Sequence, residues 1–210
     1  MFVEGLATYL SGGHFKPEPL LERAAEVVDL DWYLPLAPLA DDFYPSQHEL
    51  SYLEAAALIE YMVDTWGWEK FDEFYRSIEE HPSRLQSAAI NQALTVHYEM
   101  TFDQLETQFL ATLNAFPDSP ELEDDVRLTV MFFDTVRRYQ QTLDPSAYFM
   151  TAWLLGIDEL LDSGIVADYV RHPSAPENLA LETLLVQADA EMRAGNLKRW
   201  KWHWRRSTRF

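Results

Sequence analysis

Between positions 46 and 67 the chain reads Ser46-Gln47-His48-Glu49-Leu50-Ser51-Tyr52-Leu53-Glu54-Ala55-Ala56-Ala57-Leu58-Ile59-Glu60-Tyr61-Met62-Val63-Asp64-Thr65-Trp66-Gly67. Leu53, Ala56, Ala57, Ile59, Met62, Val63 and Trp66 are too dense around a 3.6-residue period for a surface helix, which carries one apolar stripe and one polar face. A central, buried helix is therefore expected here. Ser46 to Glu49 has the S-x-x-E spacing of a capping box, which predicts its start, and Gly67 predicts its stop. In this reading His48 and Glu49 sit at the capped end, with His48 facing solvent.

Helical signals extend outward from this segment in both directions. Upstream, Phe2 to Leu10 reads as a short helix stopped by Ser11-Gly12-Gly13, where glycine accepts the left-handed conformation. Pro17 and Pro19 introduce a second helix over 20–28, and 31–45, with three prolines and several aromatics, reads as an irregular but packed connection. Downstream, helices are expected over 68–80, 83–97 and 102–115, the last behind a second capping box, Thr101 to Gln104. After Pro117 to Pro120, helices are expected from Ser119-Pro120 to about Thr142, from Asp144-Pro145, and from Ser174-Ala175-Pro176-Glu177 to Gly195. The fold class expected is all-α, with no fixed repeat.

Charge and composition exclude several functions. The chain of 210 residues carries 35 acids against 16 Lys and Arg, a net charge of -19. Six of those cations fall in the last thirteen residues, which hold no acid, leaving 10 cations against 35 acids and a balance of -25 elsewhere. So acidic a body repels nucleic-acid phosphates and anionic lipid, so no nucleic-acid partner is expected for it. The basic end, Leu197-Lys198-Arg199-Trp200-Lys201-Trp202-His203-Trp204-Arg205-Arg206-Ser207-Thr208-Arg209-Phe210, interleaves cations with tryptophan, a composition able to touch membranes or bases. Its abrupt break from the acidic helices favours a truncated or shifted end, or a cationic strap, over a membrane contact. The chain has no cysteine, hence no disulfide, thiolate nucleophile or thiolate-bound zinc. No export signal and no run of about 18 apolar residues is read within these residues, and no compartment follows from them. P-loop, G-x-G-x-x-G, G-x-S-x-G and EF-hand patterns are also missing.

Three segments, in order, resemble the gluzincin zinc metallopeptidases, the peptidase MA-like group. Glu4-Gly5-Leu6-Ala7-Thr8-Tyr9-Leu10 is similar to their E-G-[FL]-A-x-Y segment. Tyr52-Leu53-Glu54-Ala55, followed by Gly67-Trp68-Glu69-Lys70-Phe71, is similar to their tyrosine-bearing helix. Tyr98-Glu99-Met100-Thr101-Phe102-Asp103-Gln104-Leu105-Glu106 resembles the G-M-S-x-x-E-L-E segment that closes the catalytic domain. The resemblance covers about half the chain. It implies a division into a C-terminal catalytic subdomain over 1–116, a helical extension over 117–196 and the basic tail over 197–210.

The resemblance also implies roles. Glu4 becomes the candidate third zinc ligand and Tyr52 the candidate oxyanion donor; in full-length relatives the cofactor is zinc and the partner a peptide or protein substrate. A hydrolytic zinc needs three protein ligands and an open position for water. The two histidines and the base of H-E-x-x-H belong some two dozen residues before the ligand glutamate, and only three residues precede Glu4. His48-Glu49-Leu50-Ser51-Tyr52 has no second histidine one turn along, and His14 is the remaining histidine near Glu4 in sequence. Tightly held zinc and peptide hydrolysis by this chain alone are therefore not expected. Glu54 and Ala55 replace the last two residues of the relatives' Y-x-K-G, which weakens the transfer of a catalytic role to Tyr52. The alternative reading is a non-catalytic helical module that binds a peptide or protein in a groove between its helices.

Overall fold

The computed structural model describes residues 1–14, 16–143 and 176–196, and those residues are mostly helical, with no strand among them. The helices are α1 (Phe2–Ser11), α2 (Leu20–Asp29), α3 (Leu36–Asp41), α4 (His48–Trp66), α5 (Trp68–Arg76), α6 (Gln86–Tyr98), α7 (Phe102–Leu113), α8 (Pro120–Leu143) and α9 (Pro176–Arg193). The all-α expectation holds. A helix opened by Asp144-Pro145, and the basic tail, lie outside the described residues.

Residues 1–126 form one compact unit and 127–210 a second. In the first, α4 is the central helix. Leu53, Ala56, Ala57, Leu58, Ile59 and Met62 are fully enclosed, and α1, α2 and α5 all pack on it. Phe71 and Phe74 of α5 meet Phe2 of α1, while Phe109 of α7 lies against Tyr61 of α4. Such large aromatic side chains exclude water from the joints between these short helices. The second unit is described by itself: Phe132, Phe133 and Val136 of α8 and Leu185, Ala188 and Met192 of α9 are buried.

Helix ends show which local signals govern. The Thr101 hydroxyl accepts from the Gln104 N–H at 3.2 Å while the Gln104 side chain accepts from the Thr101 N–H at 2.8 Å, so this capping box forms. Gly12, at φ 75°, closes α1, with the Gly13 N–H bonded to the Thr8 carbonyl. The first capping box does not form. Gln47, not Ser46, caps α4 by accepting from the Leu50 N–H at 2.8 Å, and the Ser46 hydroxyl turns back to the Asp42 carbonyl. Glu49 is fully buried and His48 is 8% exposed, contrary to their expected place at a solvated cap. The physical reason is a set of ionic partners for Glu49 from distant parts of the chain, which outweighs one exposed backbone bond. The connection expected to be irregular over 31–45 contains α3, whose Leu36, Leu39 and Ala40 are buried. Helix α5 ends at Arg76, short of the expected Glu80.

Candidate functional site

The site begins with a glycine. A Cβ on Gly5 would lie 2.6 Å from the Ala55 carbonyl oxygen and 2.9 Å from the Ala55 Cβ, so α1 and α4 touch backbone to backbone. Only glycine in α1, facing a small residue in α4, permits this approach. The adjoining residues are drawn together as a result: Glu4, one position before Gly5, reaches the start of α4, where it acts on the Tyr52 phenol.

Glu4 is half-buried and has a phenol partner, since the Tyr44 hydroxyl donates to its Oε1 at 2.9 Å. Burial pushes the Tyr52 phenol above its ordinary pKa, and the Glu4 charge and hydrogen bond push it further. Tyr44 is raised as well, chiefly by its hydrogen bond to Glu4. Both phenols therefore stay protonated and donate. Phe43 packs edge-on against Tyr52, with ring centres 5.2 Å apart, and fixes that ring from the loop before α4.

On its other side Tyr52 meets two imidazoles. The His14 ring stacks on it at 4.3 Å and 12°, and the His48 ring tilts against it at 4.7 Å. His14 Nδ1 lies 2.9 Å from Glu49 Oε2, and the His14 N–H donates to Glu18 Oε1 at 2.9 Å. Glu49 Oε1 in turn accepts from the Arg23 guanidinium at 3.3 Å. Arg23, fully enclosed, also pairs with Glu18 and with Asp125, whose Oδ2 lies 3.1 Å from Nε; Lys16 joins the same Asp125. Burial alone would raise the Glu49 pKa, but the His14 hydrogen bond and charge, followed by the Arg23 and His48 charges, hold it below its ordinary value. A line of contacts thus runs from Glu4 through Tyr52, His14 and Glu49 to Arg23.

Glu54 faces away from this line. It accepts from the Leu34 N–H at 2.9 Å, and burial, reinforced by the charge of Glu106, lifts its carboxyl well above the ordinary range. It holds the α2–α3 connection to α4, where Tyr33 and the Leu36 N–H bond Glu106.

The two residues singled out from the sequence, Glu4 and Tyr52, are therefore brought together. Tyr44 was not legible as their companion, having no helical spacing to either; the structure supplies it from the loop before α4. Arg23 carried no motif and Glu49 only a capping-box spacing that pointed elsewhere, and the ionic cluster rests on residues as far apart as Lys16 and Asp125. Among the described residues no group of three His, Asp or Glu side chains converges to hold a metal ion. Glu4 supplies one carboxylate where a hydrolytic zinc takes three ligands, and His14 is committed to Glu49, so these residues do not fit zinc by themselves. Comparison of the chain with family models, curated proteins and solved structures finds no match to any of them.

Proposed function

We propose that the α1–α4 junction around Glu4 and Tyr52 is a gluzincin-type peptide-recognition site, with Glu4 at the third-ligand position and Tyr52 at the oxyanion-donor position. One observation carries this reading: a half-buried carboxylate on α1, bonded by the Tyr44 hydroxyl, lies near enough to the tyrosine on the first turns of the central helix to raise its pKa. A donor fixed on a rigid buried helix is preorganised to meet negative charge developing on a bound carbonyl. The chemistry left to these residues is recognition. Glu4 accepts hydrogen bonds from a polar or cationic group, and Tyr44 and Tyr52 donate to an oxygen.

Hydrolysis is assigned to a longer form that brings H-E-x-x-H, not to these residues alone, which lack both histidines and a base. The coding sequence upstream of Met1 tests this directly. An H-E-x-x-H roughly 20–30 residues before Glu4, in frame or shifted, is the expected result. If none is encoded there, the peptidase reading fails and the helical binding module takes its place.

A further inference from the structure

Helix α1 carries apolar residues on two faces. Its inner face is made of Phe2, Gly5 and Thr8, all buried, whereas Val3 is 67% exposed, Leu10 is 65% exposed and Ala7 is exposed between them. Positions i, i+4 and i+7 lie on one side of a helix, so these three form a single apolar stripe, with half-buried Leu6 beside it. A helix that is apolar on both faces belongs between two layers. At the start of the stripe Val3 opens into a groove of about 450 Å³, whose walls include Phe2, Tyr75 and Ile78 and whose rim carries Glu79 and Glu80.

Charge says what covers it. Glu4 borders the stripe on α1 itself, Glu60 and Asp64 act on Tyr9 near its far end, and Glu79 and Glu80 close the near end. No Lys or Arg is among the residues lining the groove. Five carboxylates around an apolar strip match a helix with an apolar face and cationic flanks, and they repel a second copy of this acidic chain.

We propose that the outer face of α1, with the groove at its start, docks a cationic amphipathic helix of another protein. This does not rest on the peptidase reading. The probe is a fluorescent Leu/Lys amphipathic peptide of about 18 residues, with its Leu/Glu counterpart as control, titrated with the full chain and read by anisotropy. The expected result is saturable 1:1 binding of the Leu/Lys peptide only, weakened about tenfold by Leu10→Lys or Val3→Lys and unchanged by Val96→Lys. Val96 is 71% exposed on α6, so the three variants add the same charge and differ only in which apolar surface they interrupt. All three side chains are exposed, and unchanged helicity by circular dichroism verifies the fold. Equal weakening by all three variants would reduce the binding to bulk charge and overturn the proposal, as would equal binding of the Leu/Glu peptide or no saturation. A wild-type dimer in sedimentation that Leu10→Lys dissolves would assign the face to a second copy and overturn it too.

Discussion

Tyr52 stands between two carboxylates that the chain treats in opposite ways. Glu49 is wholly enclosed and bonded on both oxygens, by His14 on one and Arg23 on the other. Glu4 is half-buried and bonded by one phenol, that of Tyr44, which is itself 46% exposed. A buried carboxylate without partners is prohibitively costly, so Glu49 and its cations must stand or fall together. A half-buried carboxylate held by a neutral donor can exchange that donor for a ligand at less cost than a wholly enclosed one can lose its cations. The first arrangement belongs to the fold; the second is available for binding.

The comparison breaks most severely if Arg23 is removed. Arg23→Ala strands Glu18, Glu49 and Asp125 beside one another, and the expected loss is ~3–5 kcal/mol in urea unfolding. A loss below about 1 kcal/mol would show that solvent already screens the cluster. Next in size is the joint that creates the site. Gly5→Ala drives a methyl into the Ala55 backbone, and a cost of ~1–3 kcal/mol is expected, with a weakened Tyr52–Glu4 contact visible as a lowered Tyr52 titration.

A smaller effect separates Glu49 from the other buried glutamate on α4. The Glu49 pKa is held low, so its stabilisation is present above the ordinary carboxylate value and is lost as the pH falls through the folded value. Glu54 is held high, so its contribution is present below the ordinary value and is lost as the pH rises through the folded value. Glu54→Gln is therefore expected to gain on the order of 1 kcal/mol over wild type on going from pH 5 to pH 8, measured by parallel unfolding curves. Superimposable pH profiles for the two proteins would contradict this. The smallest effect is at the exposed end: Tyr44→Phe removes one exposed bond, for which less than ~1 kcal/mol is expected.

Legibility in the sequence follows the same division between local and distant causes. The Thr101–Gln104 box, the Gly12 stop and the apolar breadth of α4 are readable because three or four neighbouring residues contain the whole physical reason. Glu4 and Tyr52 are readable as a pair only through the order of three short segments, while Gly5 and Ala55 supply the contact that makes the pairing real. Ser46 and Glu49 mislead because S-x-x-E spacing is the same whether the glutamate faces a backbone N–H or a buried arginine. The choice is made by Arg23 and His14, which no local window includes. Likewise α3 is hidden behind its prolines, since its helix depends on burying Leu36 and Leu39 rather than on propensity.

The claim on which the rest depends is that Glu4 is held for a ligand and Glu49 for the fold. Equilibrium urea unfolding of Glu4→Gln beside Glu49→Gln, at neutral pH and moderate salt, tests it most directly. The prediction is a loss of about 3 kcal/mol for Glu49→Gln and a change within about 0.5 kcal/mol for Glu4→Gln. Equal losses for the two variants would make Glu4 a structural residue and remove the Glu4–Tyr52 pair as a functional site.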